Sequence, residues 1–149
     1  MSTRNSTGVV VITHGQLATE LLNAAEMIVG DLPRFGAVSI GWHDDVTVAH
    51  AAIAAAIAKV DAGGGVLLLT DMFGGTPSNL AMAFLDAGRV EVVTGVNLAM
   101  MIKLARGADD TDVLTRARTL CDHGKSAIRV ASDLLRADLE AAPRNGAQT

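Results

Sequence analysis

Residues Gly8 to Ile28 read GVVVITHGQLATELLNAAEMI, and the order of events along this stretch decides the fold. An unbroken apolar run, Gly8–Ile12, gives way to the polar Thr13-His14-Gly15. Leu17, Leu21, Leu22, Ala25 and Ile28 then recur at helical spacing. A short continuous run rich in β-branched side chains suits a strand covered on both faces. A stripe with a 3.6-residue period suits a helix lying against it. The segment therefore reads as strand, turn, helix, with a histidine at the turn.

The pattern recurs outward along the chain. Further strand-like runs are Gly36–Ile40, Gly65–Leu69 and Val90–Val93. Ser39 and Glu91 interrupt the second and fourth runs, which places those strands nearer the sheet edges, while the first and third are continuous. Ile53, Ile57 and Val60 form a helical stripe after the second run, Leu80, Met82, Ala83 and Phe84 after the third, and Leu98, Met101, Ile102 and Ala105 after the fourth. A last helical segment runs from Asp110 to Ala137, with a break near Gly124 and a stripe that includes Val113, Leu114, Ala117, Leu120, Ile128 and Leu135. This alternation predicts an α/β fold: an open, mainly parallel, doubly wound sheet with helices on both faces. The 149 residues suit one domain, 1–149, with residues 1–7 and 141–149 frayed at the ends.

Composition narrows the function. Half the residues are hydrophobic but only 3% are aromatic, so the core is aliphatic. The net charge is -4 and no Lys/Arg cluster stands out, which argues against a nucleic-acid partner. Cys121 is the only cysteine, so no internal disulfide forms, and a reducing compartment fits. The start of the chain is polar and lacks an apolar signal core. No apolar run approaches the roughly 20 residues that span a bilayer. A cytoplasmic protein without direct membrane insertion is the expectation.

In doubly wound sheets, ligands bind beyond the carboxyl ends of the strands, at the switch point of the strand order. Thr13-His14-Gly15, Asp71 to Asn79 and Gly95-Val96-Asn97 fall at those ends. His14 precedes a helix N-terminus, which favours an anion and the neutral, nucleophilic imidazole. Asp71 can accept a hydrogen bond from one ring nitrogen, fixing the tautomer and freeing the other nitrogen. Gly74-Gly75 permits backbone angles that turn successive N–H groups toward one anion. Thr76 reads as a helix N-cap and Pro77 as the first helical residue. The candidate catalytic residues are His14 and Asp71; the candidate phosphoryl-binding positions are Gly15, Gly74, Gly75, Thr76, Ser78 and Asn97. A lone strand-end histidine is as often structural as reactive, and glycine turns are common. The weight rests on the combination.

Other polar groups read as structural. His43-Asp44-Asp45 lacks the further ligands that a metal site needs and reads as a helix-start turn, so no metal is expected. Trp42 and His43 follow the second strand and lie where they can rim the phosphoryl site or a partner surface. His50 falls in an Ala-rich helix and His123 far along the last one. Cys121, Met100 and Met101 fit core packing.

Val9–Ile12 with Thr13-His14-Gly15, then Asp71 through Asn79, then Gly95-Val96-Asn97, resembles the enzyme IIA domain of the mannose family of sugar phosphotransferase systems. The resemblance spans about Gly8 to Leu135, and the glycine-rich loop is its most specific piece. It implies that His14 receives a phosphoryl group from the phosphocarrier HPr and passes it to a IIB partner. It also implies that Asp71 hydrogen-bonds that histidine and that Thr76 places a hydroxyl near the phosphoryl site. Phe73 matches the aromatic that the family usually shows two residues after the aspartate. The resemblance implies a homodimer as well, built by exchange of a C-terminal strand; in this chain only Ser126–Ala131 looks strand-like. The phosphotransfer subunit of dihydroxyacetone kinase is similar, but usually has Ser in place of Gly15 and lacks the Gly-Gly-Thr-Pro loop. Many mannose-type members continue through an Ala/Pro-rich linker into a IIB domain. This sequence shows none, so a IIB protein acting in trans is expected. No cofactor is implied. A regulatory module, whose phosphorylation state controls a signalling partner without transport, would use the same histidine. A nucleotide-binding domain is disfavoured by the lack of a P-loop and of a dinucleotide glycine fingerprint.

Overall fold

A computed structural model describes residues 6–107 and 111–141. Of the segments expected to fray, 1–7 and 141–149, residues 1–5 and 142–149 lie outside the described residues, as does the expected helix start at Asp110; Thr7 is buried and its hydroxyl donates to the Gly64 carbonyl, and Ala141 ends the last helix. The elements alternate as β1 (Gly8–His14), α1 (Leu17–Val29), β2 (Phe35–Ile40), α2 (Val46–Val60), β3 (Val66–Thr70), α3 (Thr76–Met82), β4 (Val90–Thr94) and α4 (Leu98–Arg106). Two more helices follow, α5 (Val113–Ser126) and α6 (Ala131–Ala141). The strands form one open sheet of four in the order β2-β1-β3-β4, and every pairing is parallel. The interrupted runs are the edges, β2 and β4, and the continuous runs are the centre.

Period-two alternation sorts the central strands into two cores. Val9, Val11, Leu67 and Leu69 face a layer that includes Ala18, Ala25, Met100, Met101, Leu104, Val113 and Leu120, so α1, α4 and α5 cover that side. Val10, Ile12, Val66 and Leu68 face Ala49, Ile53, Leu80 and Ala81, so α2 and α3 cover the other. Neither β1 nor β3 has a solvent face, which is why both read as unbroken apolar runs.

The strand order reverses between β1 and β3. The chain leaves β1 toward β2, then returns past β1 to place β3 on its other side. The paired carboxyl ends, Ile12 against Thr70 and His14 against Ile40, open a crevice there.

The C-terminal region differs from expectation in one respect. α5 does not break at Gly124 but continues to Ser126. Gly124 is helical because it packs on Met100; a Cβ there would sit 2.5 Å from the Met100 sulfur. Helix packing outweighs the roughly 1 kcal/mol helix penalty of glycine. The break falls at residues 127–130, which pair with no strand among the described residues.

Candidate functional site

His14 is the last residue of β1, and Asp71 directly follows β3. Neighbouring strand ends therefore bring them together although 57 residues separate them. One carboxylate oxygen of Asp71 lies 2.8 Å from His14 Nδ1, and the same oxygen accepts the His14 backbone N–H at 3.2 Å. Asp71 is thus bonded to both the ring and the main chain of the histidine, which sets the ring's rotation as well as its height. The Asp71 side chain is only 14% exposed, while that of His14 is 52% exposed. Partial burial pushes the Asp71 carboxyl upward. Hydrogen bonds from the His14 ring and backbone, with attraction to the ring, outweigh it and hold the carboxyl below its ordinary value.

An ionised carboxylate only accepts, so Nδ1 is the donor of this bond, and in the neutral ring that tautomer leaves the lone pair on Nε2. The half-exposed ring borders a cleft of about 600 Å³ lined by His14, Gly15, Trp42, Asp44, Gly75 and Thr76 among others, and Nε2 is the ring nitrogen not bonded to Asp71. Gly75 approaches this nitrogen closely: a Cβ there would lie 3.1 Å from Nε2 and 3.2 Å from Cε1. Its φ of +89° is in the region that favours glycine, so both the backbone and the space require this residue.

Thr13 anchors the histidine from below. It is fully buried; its hydroxyl accepts the Ala18 N–H at 2.6 Å and lies 3.2 Å from the His14 carbonyl, to which it donates. Gln16, at the N-cap of α1, makes no side-chain cap bond, so Thr13 supplies the capping oxygen from the strand. The end of β1 and the first turn of α1 are thereby tied across His14. Sequence reading passed over this residue because a hydroxyl inside an apolar run gives no sign of its partner.

The remaining site positions divide. Gly75 and Thr76 border the cleft beside His14. Their N–H groups have no hydrogen-bond partner among the described residues. α3 begins one residue earlier than the sequence suggested, with Gly75 rather than Thr76 at the N-cap. Gly15 also lines the cleft, but its N–H is spent on the Ile40 carbonyl at 2.8 Å. Ser78 and Gly74, expected from the sequence to bind the phosphoryl group, bond to each other. Ser78 is fully buried, and its hydroxyl accepts the Gly74 N–H at 2.8 Å. That bond folds the glycine loop back onto α3, because a buried hydroxyl satisfies the nearest loop donor. Asn97 likewise caps α4, accepting the Met100 N–H at 3.0 Å and donating to the Gly124 carbonyl.

Several residues set aside in the sequence have structural roles. Asp45 caps α2 through the Thr47 N–H, and Asp44 accepts the Gly41 N–H, so His43-Asp44-Asp45 is a helix-start turn. No group of metal-binding side chains occurs among the described residues. Met100 and Met101 are buried in the core, and His50 stacks on Phe84. No helix among the described residues is long and apolar enough to cross a membrane.

Comparison with known proteins agrees with the geometry. The family described as PTS system fructose IIA component matches residues 8–118. The mannose-specific EIIAB component of Escherichia coli K12 is 36% identical over 108 residues. That match covers 68% of this chain and 32% of the relative, so the chain spans about a third of that protein. The sorbose-specific EIIA component of Lacticaseibacillus casei is 28% identical over 106 residues, covering 70% of this chain and 76% of the relative. Among solved structures, a mannose/sorbose-specific IIA subunit from Enterococcus faecalis superposes with a TM-score of 0.73 at 33% identity. It covers 84% of this chain and 94% of that one. A histidine poised at the switch point, on this sheet and within this sequence family, has one reading: the chain belongs to the mannose-family IIA components of the phosphotransferase system.

Proposed function

We propose that this IIA component is a phosphocarrier whose acceptor atom is Nε2 of His14. The observation that carries the reading is the 2.8 Å contact between His14 Nδ1 and Asp71, which leaves Nε2 as the free nucleophile. The donor is HPr phosphorylated on a histidine, and the acceptor is a separate IIB protein. Nε2 attacks phosphorus as the donor's N–P bond breaks, and the bonding pair returns to the donor nitrogen. Nδ1 keeps its proton throughout. Phosphorylated at Nε2 and protonated at Nδ1, the imidazole ring is cationic, and the Asp71 carboxylate offsets that charge. In this reading the N–H groups of Gly75 and Thr76, which have no other partner among the described residues, receive phosphoryl oxygens. Transfer to IIB reverses the step: the Nε2–P bond breaks and its pair returns to Nε2. The donor is itself a phosphoprotein, so the step calls for neither nucleotide nor metal, and it takes place in the cytoplasm. His14→Ala should lose all acid-labile labelling from phospho-HPr while its melting temperature holds. Full labelling of that variant would end the proposal.

The same reading includes a homodimer. Ile128, Leu135 and Leu139 are exposed, and among the described residues α6 has no substantial packing against any other element. Strand β4 is a half-buried edge. An apolar C-terminal segment beside an open sheet edge supports pairing with a second copy. Light scattering at micromolar concentration should give twice the chain mass; a monomer mass would refute it.

A further inference from the structure

We propose that Trp42 is the docking anchor for the protein that delivers the phosphoryl group, seated against an apolar collar that surrounds the donor's reactive residue. This rests on the phosphocarrier reading above.

Trp42 is the one tryptophan of a chain with 3% aromatic residues, and it is 99% exposed. An indole held wholly in water forgoes the burial that large aromatics ordinarily gain. Its backbone is held: it follows Gly41 at the end of β2, and Asp44 closes that turn by accepting the Gly41 N–H at 2.6 Å. Trp42 lines the same cleft as His14, with Val46, itself exposed, beside it. In sequence, Met72 and Phe73 fall between Asp71 and Gly75, the two residues that hold and flank the His14 ring. Met72 is 55% exposed and Phe73 73%. His14 therefore has exposed apolar side chains on both of the loops that meet at it, Trp42 and Val46 in its own cleft and Met72 and Phe73 in the loop that follows Asp71. Exposed apolar rims of this kind mark interaction sites.

Chemistry selects the occupant. A donor must bring its phosphorus to within about 3–3.5 Å of Nε2, so its surface necessarily covers the rim. The cleft, about 600 Å³, is far larger than a phosphoryl group requires and has room for a partner's side chain. The donor meets His14 before the ring carries phosphate charge, and an apolar collar suits that form. Among the described residues, the only ionisable side chains lining the cleft are His14 and Asp44, and Asp45 flanks them, so the donor's periphery should be basic. Transient complexes of this kind are small, and a central Trp is the residue type that most often dominates their energetics.

Two measurements on the intact chain decide this. Titrating a tryptophan-free, unphosphorylated HPr into the chain should shift Trp42 emission to shorter wavelength and saturate. Phosphotransfer from phospho-HPr to Trp42→Ala should show KM raised about tenfold or more, and raised far more than kcat is lowered. Trp42→Phe should recover part of that loss. The penalty should be about tenfold greater with phospho-HPr than with phosphoramidate, a small chemical donor that needs no docking. Equal penalties with both donors would make Trp42 part of the reacting site and overturn the proposal. So would an unshifted emission spectrum while transfer proceeds, or a blue shift produced by concentrating the chain alone, which would assign the indole to a second copy. If the unsubstituted chain takes no phosphoryl group from phospho-HPr, the carrier reading fails first and this inference with it.

Discussion

Replacing Gly75 with alanine perturbs the site through one added carbon. The new Cβ would stand 3.1 Å from His14 Nε2 and 3.2 Å from Cε1, tighter than ordinary van der Waals contact. Being nearly equidistant from both atoms, it would lie beside the bond that joins them rather than along the lone pair of Nε2. It would press the ring sideways and narrow the space the three phosphoryl oxygens need. The ring has little freedom to yield, because Asp71 holds Nδ1 at 2.8 Å. Relieving the contact takes a shift of a few tenths of an ångström, and since about 1 Å of misplacement costs on the order of 100-fold in rate, a several-fold slowing is expected. The backbone adds a separate cost. At φ +89° and ψ 174° an alanine is strained by about 1–3 kcal/mol, which appears as lost stability. Gly74 separates the two effects. Its φ is +95°, comparably unfavourable, but a Cβ there meets nothing within 4 Å. Gly74→Ala should therefore lose similar stability yet transfer phosphate at close to the normal rate, whereas Gly75→Ala should lose both. Quenched-flow transfer from phospho-HPr and thermal melts of both variants give the comparison. Equal transfer rates in the two variants would refute the placement of Gly75 against the nucleophile.

Three further outcomes are expected. Asp71→Asn keeps the shape but removes the charge beside the ring, so transfer should slow by about tenfold or more; unchanged rates in both directions would remove its role. Because the Asp71 carboxyl is held below its ordinary value of 3.8, the stabilisation it gives is complete above that value and lost as pH falls through the folded value. With His14 half exposed, the melting gap to Asp71→Asn should be small, about 1 kcal/mol or less, and should close below roughly pH 4; a gap that widens in acid would reverse the sign. Thr13→Val strands the Ala18 N–H, and should cost about 1–3 kcal/mol in denaturant unfolding and slow transfer, while Thr13→Ser restores both; equal behaviour of the two variants would show that the hydroxyl is idle.

The sequence made the sheet legible because β1 and β3 are buried on both faces and leave unbroken apolar runs, while Ser39 and Glu91 betray the edges. Strand ends were less visible. β1 extends through Thr13 and His14 because those residues pair with Ser39 and Ile40, a register no local pattern carries. His14 and Asp71 were legible as a pair because a parallel sheet puts successive strand ends on one side. The fate of each hydroxyl was not. Thr13, Ser78 and Thr76 look alike in sequence, yet Thr13 caps a helix, Ser78 folds a loop and Thr76 borders the cleft. Which donor lies within 3 Å of a buried hydroxyl is decided by tertiary packing. Asn97 is a further case: its side chain accepts the Met100 N–H at the start of α4, a partner no local pattern names.

The most direct test is to phosphorylate the chain with phospho-HPr and locate the group by phosphorus and nitrogen NMR. An acid-labile phosphohistidine at Nε2 of His14, with the proton retained at Nδ1, is the expected result. Phosphate on Nδ1, on another residue, or no phosphate at all would contradict the claim that the His14–Asp71 contact selects Nε2 as the nucleophile.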